Sequence, residues 1–207
     1  RLREEILDTS QADGHVLIDG ETGTGKTLVA HALHAAGTRA GKKFVLLSCG
    51  ALDELVLMRR LFGPVLPEES FLPVFEEARG GTVVLEDIET LPEAVQARLL
   101  NAINSEGNPP DTRIIAISNL QAPGKILKDC LRQDLFYRLN ALSITVPPLR
   151  QRGNDILDMF NRLTETFSED YGCDPPTVSA QEAAQLMQAP WPGNVRQLTN
   201  LAERAVL

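Results

Sequence analysis

The sequence predicts an α/β fold, a parallel sheet flanked by helices, followed by a small all-helical subdomain. Three observations predict it. Short apolar stretches of strand character alternate with helical ones up to about residue 150, the pattern of a parallel sheet covered by helices. One strand candidate runs straight into a glycine-rich turn that opens a helix. Beyond the loop Pro147-Pro148-Leu149-Arg150 the strand signals stop. The change of period places a boundary near 150, giving an α/β subdomain over 1–150 and a helical one over 151–207.

Each element follows in order. Residues 1–10 carry Leu2, Ile6 and Leu7 at helical spacing. HVLID (15–19) reads as a short strand, and Thr27–Ala36 as the helix after the glycine turn. KFVLLS (43–48) is a buried strand and 51–62 a helix. The prolines of PVLPEESFLPV (64–74) interrupt regular structure. A short helix up to Arg79 then precedes Gly80-Gly81 and the β-branched strand TVVL (82–85), which ends in acids. Residues 92–106 form an amphipathic helix, TRIIAIS (112–118) a strand, 126–138 a helix and 143–146 a last strand. After the proline loop, 153–171, 178–188 and 194–207 are all helix-like.

Composition narrows the function classes. The 207 residues are 43% apolar and 23% charged, ordinary for a globular chain. No apolar run approaches the ~18 residues of a membrane span, and nothing at the N-terminus reads as a signal peptide. The expectation is a soluble cytoplasmic protein without a membrane partner. The net charge of -8 argues against a free-standing nucleic-acid binder and assigns any DNA contact to attached domains. Cys49, Cys130 and Cys173 lie far apart, with no metal or redox spacing, and read as buried or incidental thiols. His31 and His34 share a helix face, but no further ligand completes a metal site. The chain starts inside one predicted helix and stops inside another, as a segment truncated from a longer protein does.

Gly20–Thr27 reads GETGTGKT and satisfies G-x-x-x-x-G-K-[ST] in full. Gly20, Gly23 and Gly25 let the backbone wrap an anion with its N–H groups inward, and Glu21, Thr22 and Thr24 complete the turn. The following helix presents its positive end to phosphates. Lys26 reaches the β and γ phosphates, and the Thr27 hydroxyl ligates Mg²⁺. The context, strand before and helix after, is the one this motif requires, so ATP and Mg²⁺ are the expected ligands. A carboxylate on a neighbouring strand must hold the metal's shell, and a second polarises the attacking water. TVVLED (82–87) supplies Glu86 and Asp87, with Glu86 as the further metal ligand beside Thr27. Adjacent strand residues face opposite sides and so suit different roles.

These pieces, in this order, resemble the AAA+ domain of sigma-54-dependent activators, the NtrC-like response regulators, over essentially the whole chain. GETGTGKT matches the first motif, FVLLSCGAL (44–52) the segment after the second strand, LFG (61–63) the start of the sigma-contacting loop, and GGTVVLEDI (80–88) the Walker B strand. RIIAISN (113–119) resembles the sensor I strand, with Asn119 in the sensing position. LRQDLFYRLN (131–140) resembles the arginine-finger helix, placing Arg132 and Arg138 on candidate fingers; six apart on one helix, they would point about 120° away from each other. PPLRQR (147–152) matches the linker to the lid, and WPGNVRQLTNLAERAV (191–206) the sensor II helix, with Arg196 as its arginine. GETGTGK with the later CGAL is similar to the dicarboxylate-transport branch of the family. The resemblance implies a P-loop AAA+ three-layer α/β/α domain with a helical lid, acting as a hexameric or heptameric ring of its own copies, with regulatory and DNA-binding domains attached.

Three departures bear on mechanism. The family's GAFTGA loop motif is absent; between Gly63 and Phe75 stands PVLPEESFLPV, which argues against direct contact with sigma-54. The family's acidic pair is Asp then Glu, whereas Glu86 then Asp87 reverses it. A shorter carboxylate at the water-polarising position sits about one bond length too far away. Ser48 stands where the family places an asparagine that pairs with the catalytic glutamate. The resulting expectation is a module in which ATP binding promotes oligomer assembly, with weak hydrolysis and without sigma-54 contact. The alternative is an active ring ATPase that remodels sigma-54 RNA polymerase. An unrelated small-molecule kinase fits the phosphate loop but leaves 131–140 and 191–206 unexplained.

Overall fold

The computed structural model describes residues 2–63, 72–105, 111–119 and 127–207. Its elements are α1 (Leu2–Ser10), β1 (Val16–Asp19), α2 (Lys26–Ala36), β2 (Phe44–Ser48), α3 (Glu54–Phe62), α4 (Val74–Glu77), β3 (Thr82–Glu86), α5 (Glu93–Ile103), β4 (Arg113–Ile117), α6 (Leu127–Cys130), α7 (Gln133–Leu139), β5 (Leu142–Thr145), α8 (Asp155–Tyr171), α9 (Ala180–Gln188) and α10 (Asn194–Val206). The strands form a single parallel sheet in the order β2-β3-β4-β1-β5. By contact the chain divides into two units, Arg1–Asp19 with Lys26–Thr145, and Gly20–Gly25 with Val146–Leu207. No helix among the described residues is long and apolar enough to cross a membrane.

In the first unit, β3 and β4 are buried almost throughout because helices cover both faces of the sheet. Alternation sorts their side chains. Val83, Leu85, Ile114 and Ala116 join a core with Leu57 and Leu61 of α3, Val95 and Leu99 of α5, and Leu135 and Leu139 of α7. Val84, Ile115 and Ile117 belong to the opposite face, on which α2 packs against β1 and β4. Arg113 is only 3% exposed. Its guanidinium donates to the carbonyls of Thr9, Ser10 and Gly14 at 2.8, 3.3 and 3.1 Å, so it ties the end of α1 to the start of β4. His34 is satisfied by the Thr82 hydroxyl and the Lys42 carbonyl, and His31 stacks on Phe44.

The second unit is helical apart from the glycine loop. Leu149, Ile156, Phe160, Leu186, Trp191, Leu198 and Ala202 form its core. The helices end where their sequences say: Gly172 closes α8 with φ 68°, and Ser179 and Glu182 make a reciprocal capping box at α9.

Several boundaries differ from expectation for local reasons. The helix expected over 51–62 starts at Glu54, because the Asp53 carboxylate accepts the Val56 amide and caps it there. The helix expected over 126–138 is two. Arg132 is extended (φ −53°, ψ 136°) and caps α7 from outside, so Arg132 and Arg138 do not share a helix and the 120° relation between them does not hold. The cause is buried Gln96, whose amide donates to the Cys130 and Leu91 carbonyls and whose oxygen accepts the Arg132 amide at 2.8 Å, replacing helical bonds across the break. Residues 64–71 of the proline-rich segment, 106 at the end of the 92–106 helix and 126 lie outside the described residues.

Candidate functional site

Parallel register brings the carboxyl ends of three strands level: Ser48 pairs with Glu86, and Glu86 with Ile117. Ligands of open α/β sheets gather at such strand ends. β3 stops at Glu86, and Asp87 takes a left-handed conformation (φ 54°, ψ 43°), uncommon for a residue with a Cβ and a frequent mark of functional turns. The turn gives the two acids separate surroundings. Glu86 accepts a hydrogen bond from the Thr27 hydroxyl at the start of α2. Asp87 accepts one from the Asn119 amide and one from the Ser48 hydroxyl at 3.3 Å.

A further acid, Glu89, completes this end of the sheet. Its Oε1 accepts the Asn119 backbone N–H at 3.1 Å, while its Oε2 and the Oδ1 of Asp19 are enclosed without a hydrogen-bond partner among the described residues. Lys26 is 5% exposed. Burial holds its pKa below the usual lysine value, opposed by the negative charges of Glu89, Asp87, Asp19 and Glu86. Burial, reinforced by Asp87, Glu89 and Glu86, pushes the Cys49 thiol up to about 12, so that cysteine is inert.

In the second unit, Gly20–Gly25 is held by donors from 150–195. The carbonyls of Thr22, Gly23 and Thr24 accept from Asn194 Nδ2 (3.0 Å), the Val195 amide (2.9 Å) and Arg152 Nη2 (2.7 Å). Glu21 takes a two-pronged ion pair from Arg150 at 2.8 and 2.6 Å. Thr24 is buried, and its hydroxyl donates to the Glu21 carbonyl. Gly23 has φ 79°, and a Cβ there would stand 2.5 Å from the Gly193 carbonyl; only glycine fits. Arg196 is exposed on α10, with its backbone N–H 3.4 Å from the Gly23 carbonyl.

The expected fingers lie apart from the strand-end acids of their own chain. Arg132 is paired with Asp134 at 3.2 and 2.9 Å. Arg138 lines a polar cavity of about 350 Å³ with His15, Arg39, Asp111 and Thr112, where β1 and β4 begin. Glu86, Asp87, Ser48, Asn119 and Thr27 come together; Arg132 and Arg138 do not join them. Sequence reasoning missed Gln96, Asn194 and the part played by Glu89. None has a signature by type and spacing alone, because each acts through a partner distant in sequence.

Comparison with known proteins divides the chain once, after residue 145, and keeps the glycine loop with the first part. Residues 1–145 match the family described as "Sigma-54 interaction domain", and 150–207 match "AAA+ ATPase lid domain". The C4-dicarboxylate transport transcriptional regulatory protein DctD of Rhizobium meliloti is 36% identical over 221 residues, covering 100% of this chain and 48% of its own length. DctD of Pseudomonas aeruginosa is 37% identical with the same coverage. The chain thus spans about half the length of these curated relatives. The crystal structure of NtrX from Brucella abortus in complex with ATP superimposes with a TM-score of 0.88 at 31% identity, covering 98% of this chain and 49% of NtrX. With a strand-end acid cluster, a glycine loop opening α2 and a family match across both units, the chain belongs to the sigma-54 interaction domain family of AAA+ transcription regulators.

Proposed function

We propose that this chain binds ATP as the central domain of a cytoplasmic regulator, that nucleotide promotes its assembly into a ring, and that it hydrolyses ATP weakly and without contacting sigma-54. The solved ATP complex of NtrX supports the choice of nucleotide. The residues fit it: a glycine loop with its carbonyls occupied, a buried lysine that gains from an anionic partner, and a hydroxyl and a carboxylate of the hard-oxygen kind that Mg²⁺ prefers. Thr27 and Glu86 would hold Mg²⁺, which when bound supplies charge neutralisation at the β and γ phosphates. Lys26 binds and orients the same oxygens. Asn119 and Ser48 orient the carboxylate of Asp87.

The observation that carries the hydrolytic reading is Asp87. It is a methylene shorter than the glutamate its relatives use, and Ser48 and Asn119 already hold both of its oxygens. Positioning an attacking water by this group therefore asks for reach that it lacks. The missing GAFTGA motif supports the absence of sigma-54 contact. The test is a MgATP titration beside single-turnover hydrolysis. Binding with turnover well below ~1 s⁻¹ is expected; turnover at or above that rate returns the chain to the remodelling ATPases. Stable complex formation with sigma-54 in the presence of a transition-state mimic would likewise remove the contact-free reading.

A further inference from the structure

The loop Gly20–Gly25 carries a contradiction in its own sequence. It is expected to cradle the most negative part of a nucleotide, yet it contains the carboxylate of Glu21. Its glycines also make it free to adopt many conformations in which the amides do not converge. The second unit answers both difficulties.

Every peptide bond in the described chain is trans, so a carbonyl and the N–H that follows it point to opposite sides. Three successive carbonyls, of Thr22, Gly23 and Thr24, are drawn to one side by Asn194, Val195 and Arg152. The N–H groups of Gly23 and Gly25 are thereby turned away from those donors, as in an anion-binding nest, while that of Thr24 reaches the Glu21 carbonyl at 3.4 Å. Asn194 is the hub. It is fully buried and left-handed (φ 49°), its Oδ1 accepts the Leu149 amide at 2.8 Å, and its Nδ2 reaches both the Thr22 carbonyl and the Glu21 carboxylate, the latter at 3.1 Å. The second oxygen of Glu21 takes the other prong of Arg150. A bidentate guanidinium neutralises the acid and points it away from an incoming phosphate.

We infer that Arg150, Arg152 and Asn194 are positioning residues for polyphosphate binding: they hold the loop's carbonyls outward and cancel the charge of Glu21 before any nucleotide arrives. This rests on the proposal that the chain binds ATP. It assigns the linker arginines to affinity, while hydrolysis is set by the strand-end acids.

The test is calorimetric titration of MgATP into the full chain, its Arg150→Gln, Arg150→Lys and Glu21→Gln variants, and the double variant Glu21→Gln/Arg150→Gln, each with a thermal midpoint. Arg150→Gln is expected to bind roughly tenfold more weakly, since it exposes the Glu21 charge to phosphate, with a midpoint within ~2 °C of the parent. Arg150→Lys, which keeps the charge but loses the fork, falls between. Glu21→Gln leaves Arg150 uncompensated beside the loop and binds severalfold tighter. The double variant returns to within about threefold of the parent, a rescue that loss of packing alone would not produce. Parent-like binding by Arg150→Gln, or a double variant as weak as Arg150→Gln, overturns the inference while leaving the nucleotide reading intact. A parent chain that takes up no MgATP removes both.

Discussion

Asp87 and Arg113 show how much a single side chain's length and setting decide. Asp87 occupies a left-handed turn at the end of β3, where its carboxylate meets Ser48 and Asn119. If reach is what limits it, Asp87→Glu should raise the single-turnover rate about tenfold or more with little change in ATP affinity. An unchanged rate would show that length is not the limiting factor. Arg113 carries no chemistry, yet it is 3% exposed and serves the carbonyls of Thr9, Ser10 and Gly14. Arg113→Met leaves those carbonyls buried and unpaired and should cost roughly 3 kcal/mol in urea unfolding; a loss below ~1 kcal/mol would mean that water or backbone movement satisfies them.

At the scale of elements, the informative feature is the break between α6 and α7. The apolar pattern of 126–138 is continuous enough to read as one helix, because periodicity senses a buried face and not a missing backbone bond. What opens the chain at Leu131-Arg132 is Gln96, four per cent exposed on α5, which takes over the Cys130 carbonyl and the Arg132 amide. Gln96→Leu keeps the volume but removes all three hydrogen bonds, to the Leu91 and Cys130 carbonyls and from the Arg132 amide. It should destabilise by ~2 kcal/mol and speed hydrogen exchange at the Arg132 amide. Retained protection at that amide would assign the break to another cause. The long elements, from α8 to the strands β3 and β4, were legible because their burial is one-sided or complete and so leaves a period in the sequence.

For the whole molecule, charge placement governs the pH response. Burial, with the positive charge of Arg138, lowers the His15 pKa to about 4. The unfolded chain therefore binds a proton that the folded one refuses between about pH 6.5 and 4, and stability falls as pH drops through that window. The span corresponds to roughly 3 kcal/mol. Denaturant unfolding at pH 7 and pH 4.5 should show the loss in the parent and a flatter profile in His15→Asn. Arg138 lines the same cavity, at the end of β1 remote from Asp19, so the finger role that the family resemblance implies for it calls for a neighbouring copy. Arg138→Ala should bind ATP normally but lose the concentration-dependent rise in turnover; a preserved rise would remove it from the neighbour's site.

The glycine motif, the acidic strand end and the order of strands and helices are local properties, carried by spacing and composition, and the sequence by itself determined them along with the family. Which acid serves which partner was decided only by the fold. Strand register sets Ser48, Glu86 and Ile117 level, and a left-handed turn splits Glu86 from Asp87. Tertiary structure likewise gave Glu89, Gln96 and Asn194 their roles. Their hydrogen-bond partners lie up to 173 residues away, and a bond between groups so distant in sequence exists only once packing has brought them together.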